Sequence, residues 1–113
     1  MSNLSITVES MKRVDLLRVS GRVDSSNASD LDGNLKELTG NGRHNIVLEL
    51  SQVDYMSSAG LRALVSANKV CQRNGGDVRI ASPSERVAEV LDLAGLNELF
   101  QVFPDDTRAV GSF

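Results

Sequence analysis

Residues 46–62, which read IVLELSQVDYMSSAGLR, decide the fold of this chain. The first five of them are apolar except for Glu49, a pattern typical of a central strand that is covered on both faces. From about Ser58 to Arg73 the apolar residues fall on one side at helical spacing, and Asn-Gly-Gly follows. The stretch therefore predicts a buried strand that leads directly into an amphipathic helix.

The sequence around this stretch repeats the same alternation. Period-two patterns predict strands at 4–8 and 14–20, joined as a hairpin, with a turn of the chain at 21–24. Apolar residues three and four apart predict a helix over 28–38, which two glycines end. A further short strand is predicted at 78–81. The N-terminal two thirds of the chain thus alternate between strands and helices.

The C-terminal third begins with a helix-start signal. Ser82 is suited to cap a helix, Pro83 to its first position, and Glu85 to completing a capping box. Residues 96–103 predict a short helical turn and a last strand. The segment after Pro104 is polar, and we expect it to be a loosely held tail.

These elements predict one α/β domain over residues 1–113, with an ordered core at about 3–103. The order is β-β-α-β-α-β-α, with three to four helices. Strand–helix–strand alternation implies parallel strand pairs, whereas the initial hairpin is antiparallel. We therefore expect a mixed, mostly parallel sheet of four to five strands.

The composition narrows the function. The net charge of −3 argues against a phosphate-backbone partner, and 4% aromatic residues argue against a sheet that stacks nucleic-acid bases. Cys71 is the only cysteine, which fits a reducing compartment, and no apolar run reaches the length of a membrane span. We expect a cytoplasmic protein that neither binds nucleic acid directly nor inserts into membranes.

Enzymatic chemistry finds little support in the sequence. His44 is the only histidine, and the predicted topology places it at the opposite end of the sheet from Ser57 and Ser58, out of reach of a catalytic nucleophile. Cys71 lies on an apolar helix face, as a core residue would. No phosphate-binding glycine motif opens a helix, and no Cys/His cluster suits a metal. We expect no catalytic residue, metal or cofactor, and hence no enzyme.

Two polar features follow predicted strands, where an α/β sheet presents its loops. The first feature is the turn at 21–24, which ends in Asp24. This aspartate is suited either to cap the next helix or to form part of a site. The second is the pair Ser57 and Ser58, which can cap a helix or hold an anion at its N-terminus. Gly60 disfavours simple capping, because glycine inside a helix costs about 1 kcal/mol and leaves room for a close approach.

The chain resembles the STAS domains, and among them the bacterial anti-sigma factor antagonists. The resemblance covers nearly the whole length and rests on the order and spacing of the N-terminal hairpin and four motifs. The motifs are Gly21-Arg22-Val23-Asp24, the run at 46–50, Val53-Asp54-Tyr55-Met56-Ser57-Ser58-Ala59-Gly60-Leu61, and Val90-Leu91-Asp92-Leu93-Ala94-Gly95-Leu96. Ser57 stands where the family often has aspartate, and Ala59 where a second hydroxyl is common.

The resemblance implies a protein switch. In such families the unphosphorylated antagonist binds an anti-sigma factor that is also a GHKL-type serine kinase, and a sigma factor is thereby released. The kinase then phosphorylates a serine two positions before the motif glycine, and a PP2C-type phosphatase reverses this. The implied acceptor is Ser58, with Ser57 as the second candidate, and the implied partner-binding residues are Asp24, Ser57, Ser58 and Gly60.

One alternative keeps the fold and omits the switch. STAS-like domains also serve as scaffolds that are not phosphorylated, or as sensors of nucleotides or lipids. A ligand sensor requires a deep apolar pocket, whereas a phosphorylation switch requires a shallow exposed surface around Ser58.

Overall fold

A computed structural model describes residues 3–113 as a five-stranded sheet with helices on both faces. The strands are β1 (Leu4–Ser10), β2 (Asp15–Val23), β3 (Asn45–Met56), β4 (Asp77–Ala81) and β5 (Val102–Phe103). They are hydrogen-bonded in sequence order; β1 and β2 pair antiparallel and the other pairs are parallel. The predicted mixed, mostly parallel sheet is confirmed, and its fifth strand is present.

Four helices connect or follow the strands. They are α1 (Ala28–Gly40), α2 (Ser58–Arg73), α3 (Glu85–Leu93) and α4 (Asp106–Gly111). The predicted β-β-α-β-α-β-α order is confirmed, and β5 and α4 extend it at the C-terminus. No helix within residues 3–113 is long and apolar enough to span a bilayer.

The core is split by the sheet into a large and a small cluster. On one face, Leu48 of β3 belongs to the cluster that includes Leu31, Leu64 and Leu91 from the first three helices. On the other face, Val47 belongs to a smaller cluster that includes Ala109 of α4. Successive β3 residues are therefore buried on opposite faces, which explains why this strand reads as a continuous apolar run.

The segment after Pro104 is not the loosely held tail that its polar sequence predicted. Asp105 caps α4 by accepting a hydrogen bond from the Arg108 N–H at 2.7 Å. The helix buries Ala109 against the sheet, and Arg18 of β2 pairs with Asp106 at 3.1 Å. The expected ordered limit at residue 103 was therefore wrong, because α4 covers an apolar patch that the longer helices leave open.

The start of α3 also differs from the prediction. Ser84, not Ser82, is the N-cap, and its hydroxyl accepts from the Val87 N–H at 3.2 Å while donating to the Val53 carbonyl at 2.6 Å. Ser82 instead has φ of +47° and donates to the Pro104 carbonyl. Glu85 is the first helical residue, N1, which is two positions before the N3 position that a capping box requires.

Most of the predicted turn at 21–24 is strand, because β2 ends three residues after the predicted end at residue 20. β2 continues to Val23, and Gly21, with φ of +99°, forms part of an irregular pairing with β3. A Cβ at Gly21 would collide with the carbonyl oxygen of Asn3, so only glycine fits where β1 begins beside β2. The chain therefore leaves the sheet at Asp24.

Candidate functional site

The two polar features that the sequence singled out meet at the C-terminal edge of the parallel strands. Val23 at the end of β2 is paired with Met56 at the end of β3. The Ser57 N–H donates to the Val23 carbonyl at 2.9 Å, which links the two loops directly. Asp24 and the serine pair thus leave neighbouring strands at the same edge, where open α/β sheets commonly place their sites.

Ser57 and Ser58 have different roles at the start of α2. Ser57 has extended backbone angles, and its hydroxyl accepts from the Gly60 N–H at 3.2 Å, so it is the N-cap. Ser58 is the first helical residue, is exposed, and its hydroxyl forms no hydrogen bond within residues 3–113. The cap therefore occupies one serine and leaves the hydroxyl of the other accessible.

The backbone at the start of α2 favours negative charge. The first N–H groups of a helix have no acceptor in the preceding turn, and the helix dipole places positive potential there. The first turn of α2 contains no acidic residue that would neutralise this potential. A negatively charged group attached to Ser58 would consequently be stabilised by the helix itself.

Gly60 faces the interior and not the exposed edge. It is buried, and a Cβ would lie 2.5 Å from the Met56 sulfur and 2.8 Å from a methyl group of Val23. The sequence pointed to a close approach at this position, and there is one, but the neighbours are the ends of β2 and β3. The absence of a side chain is explained by packing, so the expectation that Gly60 contacts a partner needs revision.

Asp24 organises the loop before α1 and does not cap the helix itself. Its carboxylate accepts from the Ser26 hydroxyl at 2.6 Å and from the N–H groups of Ser26 and Asn27. The hydroxyl contact with Ser26 contributes most to lowering the pKa of Asp24, and Arg22 lowers it further. Asn27 occupies the N-cap position without a side-chain capping bond. Asp24 is therefore a fixed, ionised carboxylate beside the serine pair.

A cation–π pair that the sequence analysis missed completes this edge. The Arg22 guanidinium lies 4.1 Å from the centre of the Tyr55 ring, and its Nε lies 3.7 Å from Asp24. Arg22 and Tyr55 are cross-strand partners in the β2–β3 register. In the sequence, an arginine and a tyrosine each stand one residue before the end of a strand. Only the register of β2 against β3 shows that their side chains stack.

Ser58 borders an open groove on the surface. The groove, of about 550 Å³, runs between α2 and the segment that follows α3. Its apolar wall contains Leu61, Val65 and Leu96, and Arg62 and Lys69 supply positive charge. It is open to solvent and differs from the deep apolar pocket that a sensor of small ligands requires.

His44 and Cys71, which were predicted not to be catalytic, lie away from this edge. His44 immediately precedes β3, so the full length of that strand separates it from Ser57. Cys71 is buried in the core, and burial raises the pKa of its thiol to about 11. Within the described part of the chain, no group of three or more His, Cys, Asp or Glu side chains is placed to hold a metal.

The chain belongs to the STAS domain family, whose model matches residues 5–109. The anti-sigma-B factor antagonist of Staphylococcus epidermidis is 28% identical over 101 residues, which cover 88% of this chain and 94% of that protein. The resemblance inferred from the sequence motifs is confirmed. The name of this relative describes a protein that antagonises an anti-sigma factor.

Two solved structures share the fold. The crystal structure of an anti-sigma factor antagonist from Mycobacterium paratuberculosis superposes with a TM-score of 0.87 at 22% identity, covering 96% of this chain and 92% of that one. The Bacillus cell fate determinant SpoIIAA in its phosphorylated form superposes with a TM-score of 0.77 at 15% identity, covering 96% and 98%. The STAS fold is thus shared over nearly the full length of each protein.

Proposed function

We propose that this protein is an anti-sigma factor antagonist that is switched off by phosphorylation of Ser58. Unphosphorylated, it binds an anti-sigma factor that is also a GHKL-type serine kinase, and a sigma factor is freed. The kinase transfers phosphate to Ser58, the complex dissociates, and a PP2C-type phosphatase restores the active form. The family membership and the names of the relatives support this proposal.

The observation that carries the proposal is the division of labour between the two serines. Ser58 is exposed and its hydroxyl is accessible, whereas Ser57 is half-buried and its hydroxyl already accepts from Gly60. A phosphate on Ser57 would disrupt the cap of α2, which is worth about 1 kcal/mol. A phosphate on Ser58 keeps the cap and gains the favourable potential of the helix end. Ser58 is therefore the better acceptor.

The surface of this protein that contacts the kinase lies at the same edge of the sheet. Asp24, Ser57 and Ser58 lie together on it, and we add Arg22 and Tyr55, which stack beside them. A phosphate brings about two negative charges and new bulk into this contact. A loss of about 2–4 kcal/mol would weaken binding roughly thirty- to a thousand-fold, which is enough for release without refolding.

Binding assays with the cognate kinase test the proposal. Ser58→Ala should bind the kinase like the wild type and resist release by ATP, whereas Ser58→Asp should bind at least about tenfold more weakly because it carries charge at the contact. Ser57→Asn, which retains a capping side chain, is the matched control and should still be released by ATP. Release of Ser58→Ala by ATP at the wild-type rate would contradict the proposal.

The alternative function, a STAS scaffold or a sensor of nucleotides or lipids, has less support. The groove beside Ser58 is open, and its lining combines apolar with basic side chains. A bound nucleotide or lipid would raise the melting temperature of the protein, and the rise would grow with the logarithm of ligand concentration above the dissociation constant, as binding to the folded state requires. Thermal shift assays with these ligand classes would identify a sensor.

A further inference from the structure

Arg62 is the charged side chain nearest to Ser58 along α2. It lies four residues further on, which places the two side chains as neighbours on one helix face, with Cβ atoms about 5–6 Å apart. Helical side chains lean toward the N-terminus of their helix, so a long side chain at Arg62 covers the turn that Ser58 begins. Both residues are exposed and border the same groove.

Arg62 is also unpaired. The guanidinium groups of Arg18, Arg22, Arg43, Arg79 and Arg108 each contact a carboxylate. Arg62 makes neither an ion pair nor a hydrogen bond within residues 3–113. Its guanidinium is therefore available to an anion without first breaking an existing contact.

We propose that Arg62 binds the phosphate on Ser58 and acts as its positioning residue, an inference that rests on Ser58 being the phosphorylated serine. A planar guanidinium donates two parallel hydrogen bonds to phosphate oxygens, a geometry that lysine does not provide. The pair joins the first two turns of α2 on its exposed face. Phosphorylation then has two effects at the groove: it adds negative charge at Ser58 and withdraws the positive charge of Arg62 from the partner.

The second pKa of the phosphate on Ser58 is sensitive to a contact with Arg62. Other charges near Ser58 are Lys69, which borders the groove about 16 Å further along α2, and Arg22, Asp24 and Asp54, which lie at the strand ends. Residues 94 and 96, which line the opposite wall, are uncharged. Since these surroundings are the same in every Arg62 variant, a difference between variants measures the contribution of Arg62 alone.

The test uses full-length protein with phosphoserine inserted at position 58 during translation, so that it does not depend on the kinase. A phosphorus NMR titration should give a second phosphate pKa about 0.2–0.4 units lower in the parent phosphoprotein than in Arg62→Gln, with Arg62→Lys between them. Arg13→Gln removes an exposed arginine from the β1–β2 hairpin at the other end of the sheet and should titrate like the parent. The difference should vanish in about 1 M salt.

An identical titration of the parent and Arg62→Gln would overturn the inference, as would an equal shift in Arg13→Gln. This failure is distinct from a failure of the proposed function. If a cognate kinase modified another residue, the proposed switch would be wrong although the inserted phosphoserine still paired with Arg62. If Ser58 were modified and the titrations coincided, the switch would stand without this contact.

Discussion

Gly60→Ala is the substitution that most directly tests how the start of α2 is positioned. The added Cβ would lie 2.8 Å from a Val23 methyl group and 2.5 Å from the Met56 sulfur. Met56 is flexible and can move away, whereas Val23 is β-branched and fixed in β2. Overpacking of this kind costs about 1–3 kcal/mol. Replacing glycine by alanine inside a helix recovers about 1 kcal/mol of helix propensity, which reduces this cost. We expect a net destabilisation of about 1 kcal/mol, within a range of roughly 0–2 kcal/mol.

Gly33→Ala is the matched control. Gly33 lies inside α1, and a Cβ there would meet no atom within 4 Å. The control gains helix propensity without a steric cost, so the free energy of unfolding should rise by about 0.5–1 kcal/mol. Urea unfolding of both variants measures the contrast, which is about 2 kcal/mol and corresponds to a difference of roughly 8 °C in melting temperature. Equal stabilisation by the two substitutions would refute the packing argument.

A double variant identifies the contact responsible. Val23→Ala removes the methyl groups that a Cβ at position 60 would strike. Gly60→Ala should therefore cost less in the Val23→Ala background than in the wild type, by about 0.5 kcal/mol or more, as contacting residues generally couple. Strict additivity of the two changes would assign the cost to another neighbour.

Three further predictions concern single side chains. Ser57→Ala should lower the free energy of unfolding by about 1 kcal/mol because a first-turn N–H loses its acceptor, whereas Ser58→Ala should change it by less than about 0.5 kcal/mol; equal losses in urea would contradict the assignment of the cap. The Cys71 thiol, with a pKa of about 11, should resist aromatic disulfide reagents at neutral pH until the protein unfolds. Ser26→Ala should raise the pKa of Asp24, followed by carbon NMR of the carboxyl group. Folding lowers the pKa of Asp24, so the stability that this carboxylate contributes is present above its unfolded pKa and is lost as the pH falls through its folded pKa. The Ser26→Ala variant should therefore have a lower free energy of unfolding than the wild type near neutral pH and the same free energy of unfolding in strong acid.

Much of the fold could be predicted because the hydrophobic pattern is clear. The continuous apolar run at 46–50 predicts a central strand, and the spacing of apolar residues in α1 and α2 predicts one buried face on each helix. The serine pair was placed correctly at the start of α2, and the structure shows which serine caps the helix and which has an accessible hydroxyl. Local chemistry alone left a capped helix and an anion site as alternatives.

The features that sequence reasoning missed depend on contacts between distant segments. Ser82 and Ser84 are equivalent as capping residues, and the long-range hydrogen bonds from Ser82 to Pro104 and from Ser84 to Val53 distinguish them. α4 has six residues, too few to establish a period, although Asp105 is a recognisable cap. The stacking of Arg22 on Tyr55 requires the register of two parallel strands, which an alternating pattern does not specify.

The role of Gly60 illustrates the same limit at the site itself. A glycine in the first turn of a helix indicates close approach, and that inference was correct. The sequence does not show which neighbours come close to Gly60. In the structure these neighbours are the buried side chains of Val23 and Met56. The accessible surface at this edge therefore includes Arg22, Asp24, Tyr55 and the serine pair, but not Gly60.

The most direct test of the central claim is to map the phosphate after incubation with the cognate serine kinase. Wild-type protein, Ser58→Ala and Ser57→Ala would each be incubated with the kinase and ATP, and tandem mass spectrometry would locate the modification. We expect one phosphate on Ser58 in the wild type and in Ser57→Ala, none in Ser58→Ala, and dissociation of the complex only where the phosphate is found. Phosphate on Ser57 with none on Ser58, or dissociation of the Ser58→Ala complex by ATP, would contradict it.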